Sequence, residues 1–340
     1  MTSWRNDSPA LCDKKYAQYS SFPIKYPRLV ELTNKQEAVL WTEKELSFKD
    51  DILQFALGIL KTHGQNEKAK HAFMYVSGFF LFGDGIIGGC ISEVLSSKIV
   101  IREILDFYAL QSYIESVHNK FYSLVVESLF PEHKDTLRTE LEKFPAIKKK
   151  VEWAMKWVKA NADIPVQQTV VAGVIIESIF FTTSFALIYW IKGKGKLPAV
   201  TDGNDMVSRD ENIHRDFGCE VYKLVEDEYR LPENIIYDMI HEATEAECEF
   251  INEAMQGESL EGFNIDDAIS YPKYIADLLL TDLGYIKIFN QKNPFPWIKL
   301  MSIAPRKNFF EKTVTEYQKA HTQISVQKRD GFDFTSNPDF

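Results

Sequence analysis

Two histidines in this chain stand three residues after a glutamate, in Glu115-Ser-Val-His118 and Glu211-Asn-Ile-His214. On an α-helix a three-residue step turns about 300°, so each Glu and its His lie on adjacent faces and reach one cavity. Chance alone, with seven histidines and 49 acids in 340 residues, gives 7 × 49/340, about one acid-x-x-His match, and Asp238-Met-Ile-His241 is a third. The order of the neighbouring acids is the stronger signal. Asp84, in FFLFGDGII, precedes Glu115 by 31 residues, and Glu177, in VIIESIFF, precedes Glu211 by 34. Each half therefore reads carboxylate, then E-x-x-H, with 96 residues between the two E-x-x-H pairs. Acids in apolar helical runs need partners, since an unpaired buried charge is costly. Four converging carboxylates without a cation would repel one another toward protonation, whereas two divalent ions balance them. The pattern predicts a di-iron or di-manganese carboxylate site in a four-helix core, with Asp84, Glu115, His118, Glu177, Glu211 and His214 as donors. Oxygen and imidazole donors suit iron or manganese, and the absence of Cys ligands argues against structural zinc.

Tyr122 lies seven residues after Glu115 and four after His118, within about 20° of the Glu115 direction, and so faces the same cavity. Beside a metal centre that activates dioxygen, a phenol can be oxidised to a radical. Phe181, Phe185 and Val207, at helical steps from Glu177 and Glu211, are expected to form an apolar wall around it.

The elements that must position these residues are helices. No proline occurs between Pro27 and Pro131, and no glycine between Cys90 and Phe130. Apolar residues recur there at three- and four-residue steps, and hairpin signals are scarce, so the fold class is all-α. Breaks are expected at PEHKD after Phe130, NADIPVQQ, GKGKLPAVTDGND and QKNPFPW. Val170 to Ile191 is long and apolar enough to cross a bilayer. It contains Glu177 and has no second such span beside it, so a helix buried within a bundle, and no membrane, is expected. Residues 1–25 read as a flexible segment, 26–320 as the helical domain and 321–340 as a flexible tail with apolar anchors. With 39 Lys+Arg against 49 Asp+Glu and no long basic run, nucleic acid is an unfavoured partner. Four scattered cysteines without a CxxC pair, and an N-terminus lacking an apolar core, point to a reducing compartment and the cytoplasm.

Taken together, FPIKYPRLVELTNKQEAVLW, GDGI around Asp84, YIESVHNKFYS, VEWAMKWV, VIIESIFFTTSF, SRDENIHRDFGC and NFFEKTVTEYQKA resemble the small, radical-generating subunit of class I ribonucleotide reductase, eukaryotic type, over residues 24–340. The resemblance implies a ferritin-like bundle holding two iron ions, oxo-bridged, with manganese possible. Asp84, Glu115 and His118 match the ligands of one ion, and Glu177, Glu211 and His214 those of the other. Tyr122 matches the radical tyrosine and Asp210 an acid bonded to His118. Trp41 and Tyr317 match the residues that relay the oxidising equivalent. A large subunit that reduces ribonucleotides is the implied partner, docked through Phe334 and Phe340 of the tail, and a homodimer is implied. Two other readings are a di-iron oxidase that exports no radical and a non-catalytic scaffolding paralogue. The first leaves Tyr122, Trp41 and the tail unexplained, and the second predicts a lost ligand or tyrosine, where none is lost.

Overall fold

A computed structural model describes residues 3–83, 89–133, 136–137, 139, 143–159 and 164–298. The chain divides into a unit Met1–Phe295, to which all that follows belongs, and a short unit Pro296–Phe340. Asp84, Tyr317 and the tail with Phe334 and Phe340 lie outside the described residues.

Eleven main helices follow one another in the described residues. They are α1 (Pro27–Glu37), α2 (Lys49–Leu57), α3 (His63–Gly83), α4 (Gly89–Lys98), α5 (Arg102–Leu129), α6 (Pro145–Ala154), α7 (Val166–Ile175), α8 (Thr182–Gly193), α9 (Pro198–Lys223), α10 (Glu233–Ala254) and α11 (Ile265–Leu283). The all-α expectation holds, and no strand occurs among the described residues. α5 is an uninterrupted 28-residue helix, as its lack of Gly and Pro allows. It buries Ile104, Phe107, Gln111, Ile114, His118, Phe121, Tyr122, Val125 and Leu129 on one broad face. That face packs on α3 and α9, and α9 packs in turn on α7. The four segments enclose the core in which the motif residues meet.

The apolar stretch is a core helix. Every residue of α7 is buried, and 89% of the most apolar window in Val166–Gly193 lies inside the protein. The stretch is not one regular helix, however. Ile176–Phe180 widens into a π turn, which carries Glu177, before Phe181 turns the chain into α8. π turns are rare and concentrate at functional sites.

Two sequence expectations change here. The break read at GKGKLPAVTDGND is confined to Lys194–Leu197, with Leu197 left-handed at φ 52°, and TDGND lies inside α9. Gly203 sits in that helix for a packing reason: a Cβ there would lie 2.3 Å from the Phe121 ring, so glycine lets α5 approach α9. The N-terminal stretch read as flexible is tied down over its first residues. Gln167 receives Ser8 N–H through its side-chain oxygen and donates to the Trp4 and Asn6 carbonyls, Ser8 donates to Glu226, and Leu11 is fully buried.

α9, which carries half the motif, is anchored at its start from another helix. Asp51 of α2 accepts from the backbone N–H groups of Ala199 (3.1 Å) and Val200 (2.9 Å), donors that have no partner within the helix, and is fully buried. Asp51→Ala would strand both. We expect a loss of about 2–3 kcal/mol of unfolding free energy in a denaturant titration, with Asp51→Asn recovering part of it.

Candidate metal centre

α5 presents Glu115, His118 and Tyr122, the π turn presents Glu177, and α9 presents Asp210, Glu211 and His214. The two E-x-x-H pairs interlock. Glu115 lies 3.2 Å from His118 Nδ1 through Oε2 and 3.1 Å from His214 Nδ1 through Oε1. Glu211 mirrors it, 3.0 Å from His118 Nδ1 and 3.0 Å from His214 Nδ1. Each acid thus spans both imidazoles. Glu177 Oε2 comes within 4.0 Å of His214 Nδ1. Donor atoms of Glu115, Glu177, Glu211 and His214 all lie within 4.8 Å of one another. Asp84 follows directly on α3 in sequence but is outside the described residues. Asp238-Met-Ile-His241 is not part of the site: His241 is surface-exposed and faces Glu245 at 3.7 Å.

Burial and charge act against each other in this cavity. Burial disfavours the charge on His214, yet Glu211 and Glu115 outweigh it and push the imidazole up to about 10. His118 is likewise raised, burial being overcome by Asp210, Glu115 and Glu211. Glu211, though buried, is held well below the usual carboxylate range by contacts with Glu177, His214 and His118. The cavity is therefore built for ionised carboxylates beside a cation, and three acids with two imidazole nitrogens fit a pair of divalent ions.

The other ring nitrogen of His118 is held from behind. Its Nε2 meets Asp210 Oδ2 at 3.3 Å, and the same oxygen accepts from Trp41 Nε1 at 2.7 Å. Asp210 Oδ1 accepts from Gln36 (3.0 Å) and from Arg209, whose guanidinium also reaches the Val39 carbonyl at 2.7 Å. Trp41 lies 6.1 Å from His118, ring to ring. Gln36 and Arg209 thus fix the acid and, with it, the loop that carries the tryptophan. A carboxylate behind a metal-binding imidazole sets its tautomer and orientation.

Tyr122 is fully buried. The ring stacked on it is Phe80 of α3, at 4.3 Å and 4° between planes, with Phe121 at 4.8 Å. The expected wall residues Phe181 and Phe185 pack against Phe80, at 5.4 and 5.1 Å, and Val207 is buried in α9. Sequence reasoning missed Phe80, one of several apolar residues in its run. It also missed Gln111, one turn before Glu115, which donates to Glu177 Oε1 at 2.9 Å. The only signal for Gln111 was its i−4 spacing from Glu115.

The chain is similar to known proteins in both sequence and fold. The family model described as ribonucleotide reductase, small chain, matches residues 18–294. The ribonucleoside-diphosphate reductase small chain of Plasmodium falciparum is 35% identical over 322 residues, covering 94% of the present sequence and 88% of its own. The small chain of Nicotiana tabacum is 34% identical over 311 residues, covering 91% of each. Among solved structures, a ribonucleotide reductase homodimer from Saccharomyces cerevisiae superposes with a TM-score of 0.73 at 25% identity, covering 89% and 90%. A dimanganese(II) protein from Streptococcus sanguinis shares the fold, with a TM-score of 0.68 at 18% identity, covering 81% and 95%. Fold and site together define a ferritin-like protein of the di-metal carboxylate class. The chain belongs to the eukaryotic-type class I ribonucleotide reductase small-chain family, oxidoreductase subunits that form dimers and work with a large subunit.

The pH behaviour of metal-stripped protein follows from His214. A group raised in the folded state stabilises in full below its ordinary value near 6.5, and that contribution is lost as pH rises through about 10. After chelation, the melting temperature should fall between pH 6.5 and 10, and Glu115→Gln should flatten that fall in calorimetric scans.

Proposed function

We propose that this small chain is cytoplasmic and carries two metal ions, iron in the working protein with manganese compatible with the same donors, and uses them to make a radical on Tyr122 for a large subunit. The observation that carries the reading is the interlock of Glu115 and Glu211 across both imidazoles, beside a sealed phenol. Asp84, Glu115 and His118 would hold one ion, and Glu177, Glu211 and His214 the other, four carboxylates balancing two divalent charges. When bound, the metal pair with dioxygen supplies the one-electron oxidation of the Tyr122 phenol.

The protein's own residues do the rest. Glu115 and Glu211 hold the donors of both halves at fixed spacing. Phe80, with Phe181 and Phe185 behind it, keeps water and reductants from the phenol. Asp210 Oδ2 accepts from the Trp41 indole N–H and also faces His118 Nε2, so one carboxylate oxygen links the cavity to the loop after α1. Trp41 and Tyr317 would pass the oxidising equivalent onward, and Phe334 and Phe340 would anchor the tail on the large subunit. Three described cysteines, Cys12, Cys219 and Cys248, are free thiols, which suits a reducing compartment.

Tyr122→Phe removes one hydroxyl and keeps the ring. Two irons per subunit and an unchanged diferric absorption spectrum are expected, with no tyrosyl signal by electron paramagnetic resonance and no reductase activity in the reconstituted complex. A full radical signal would move the radical to another tyrosine, and unchanged reductase turnover would refute the radical reading.

Removal of Phe334–Phe340 is a separate test of the partner. Iron content and the radical should be intact, while activity at limiting large subunit nearly vanishes, and a peptide of those seven residues should compete with the intact protein.

A further inference from the structure

Lys150 of α6 and Glu247 of α10 form an ion pair, 2.5 Å apart, with both side chains fully buried. Neither belongs to the E-x-x-H motifs. Rings surround the ammonium, with Phe250 at 3.5 Å and Phe79 at 3.7 Å from Nζ to ring centre. A buried pair of this kind is a poor source of net stability, because desolvation cancels most of the attraction and apolar residues of similar volume often serve as well. Its polar contacts indicate a different role. Lys150 Nζ donates to the carbonyl of Phe180 at 2.8 Å, the last residue of the π turn that carries Glu177. Glu247 accepts from the Thr183 backbone N–H at 2.9 Å and from the Thr183 hydroxyl, at the start of α8. The pair thus grips the backbone on both sides of Phe181, where the wide turn gives way to a regular helix.

A π turn holds one residue more than an α turn, and relaxing it to α geometry would rotate every residue before or after it by about 100°. Glu177 would then leave the Glu115–Glu211–His214 cluster, or Phe181 would leave Phe80. We propose that the Lys150–Glu247 pair is a positioning device that holds the π turn open, and so sets where Glu177 meets the metals. This rests on the reading of Glu177 as a metal ligand.

The test compares Lys150→Met/Glu247→Leu with wild type and with Glu177→Ala, each as the full-length protein. The double substitution removes both charges together and so leaves no unpaired ion in the core. Two readouts are used: hydrogen exchange of residues 176–183 in metal-free protein, and manganese(II) titration followed by electron paramagnetic resonance. We expect a folded double variant with faster exchange in that segment and about 10- to 100-fold weaker manganese binding. Should it not fold, Lys150→Met/Glu247→Gln, which keeps a carbonyl for Thr183, is measured in the same way. Unchanged exchange and affinity in a folded double variant would overturn the proposal and leave the pair as core packing. Unchanged manganese binding in Glu177→Ala would instead overturn the ligand reading, so the two failures are distinguishable.

Discussion

Three glutamates and two imidazoles share one cavity, and ionised groups leave water only when each is held against opposite charge. Glu115 and Glu211 meet this requirement by reaching both histidines at once, at distances of 3.0 to 3.2 Å. That arrangement fixes how α5 and α9 lie against each other, because neither pair could close if one helix slid by a turn. Much of the surrounding structure serves that fit. Gly203 removes the one Cβ that would hold α9 away from Phe121, and Asp51 pins the start of α9. The π turn swings Glu177 toward the cluster, and Gln111 receives it there.

The second constraint is separation. Under the proposed function the phenol of Tyr122 would carry an oxidising equivalent, and such a group must be close to its source and remote from water. Tyr122 meets both needs by sitting one turn beyond His118 on α5 while its ring is covered by Phe80 and Phe121. Trp41 reaches His118 and Phe121 from a loop rather than a helix. It is kept in place by Asp210, whose two oxygens also engage His118, Gln36 and Arg209. One carboxylate thus couples the orientation of an imidazole in the cavity to that of an indole in the outer loop, which makes Asp210 more constrained than a surface acid of the same sequence context would be.

What the sequence by itself determined is the part written in local periodicity. The absence of glycine and proline through α5 made a long helix, and the i, i+3 step put Glu and His of each motif on adjoining faces whatever packed against them. The repetition of carboxylate and E-x-x-H made the convergence of the two halves readable, and the apolar length of Val170–Ile191 with an acid inside it already spoke for a core helix. Tertiary structure decided everything that depends on what lies opposite. The turn signal in TDGND was overridden because Phe121 fills the space a Cβ on Gly203 would need. Phe80, not Phe181 or Phe185, became the ring stacked on Tyr122. Gln111 gained a role from Glu177, 66 residues away, and Trp41 from Asp210, 169 residues away. The π turn and the buried Lys150–Glu247 pair have no sequence signature, since both arise where three separate helices meet. Periodicity gives the face of a helix on which a residue lies, but the partner facing it is chosen by packing across the whole molecule.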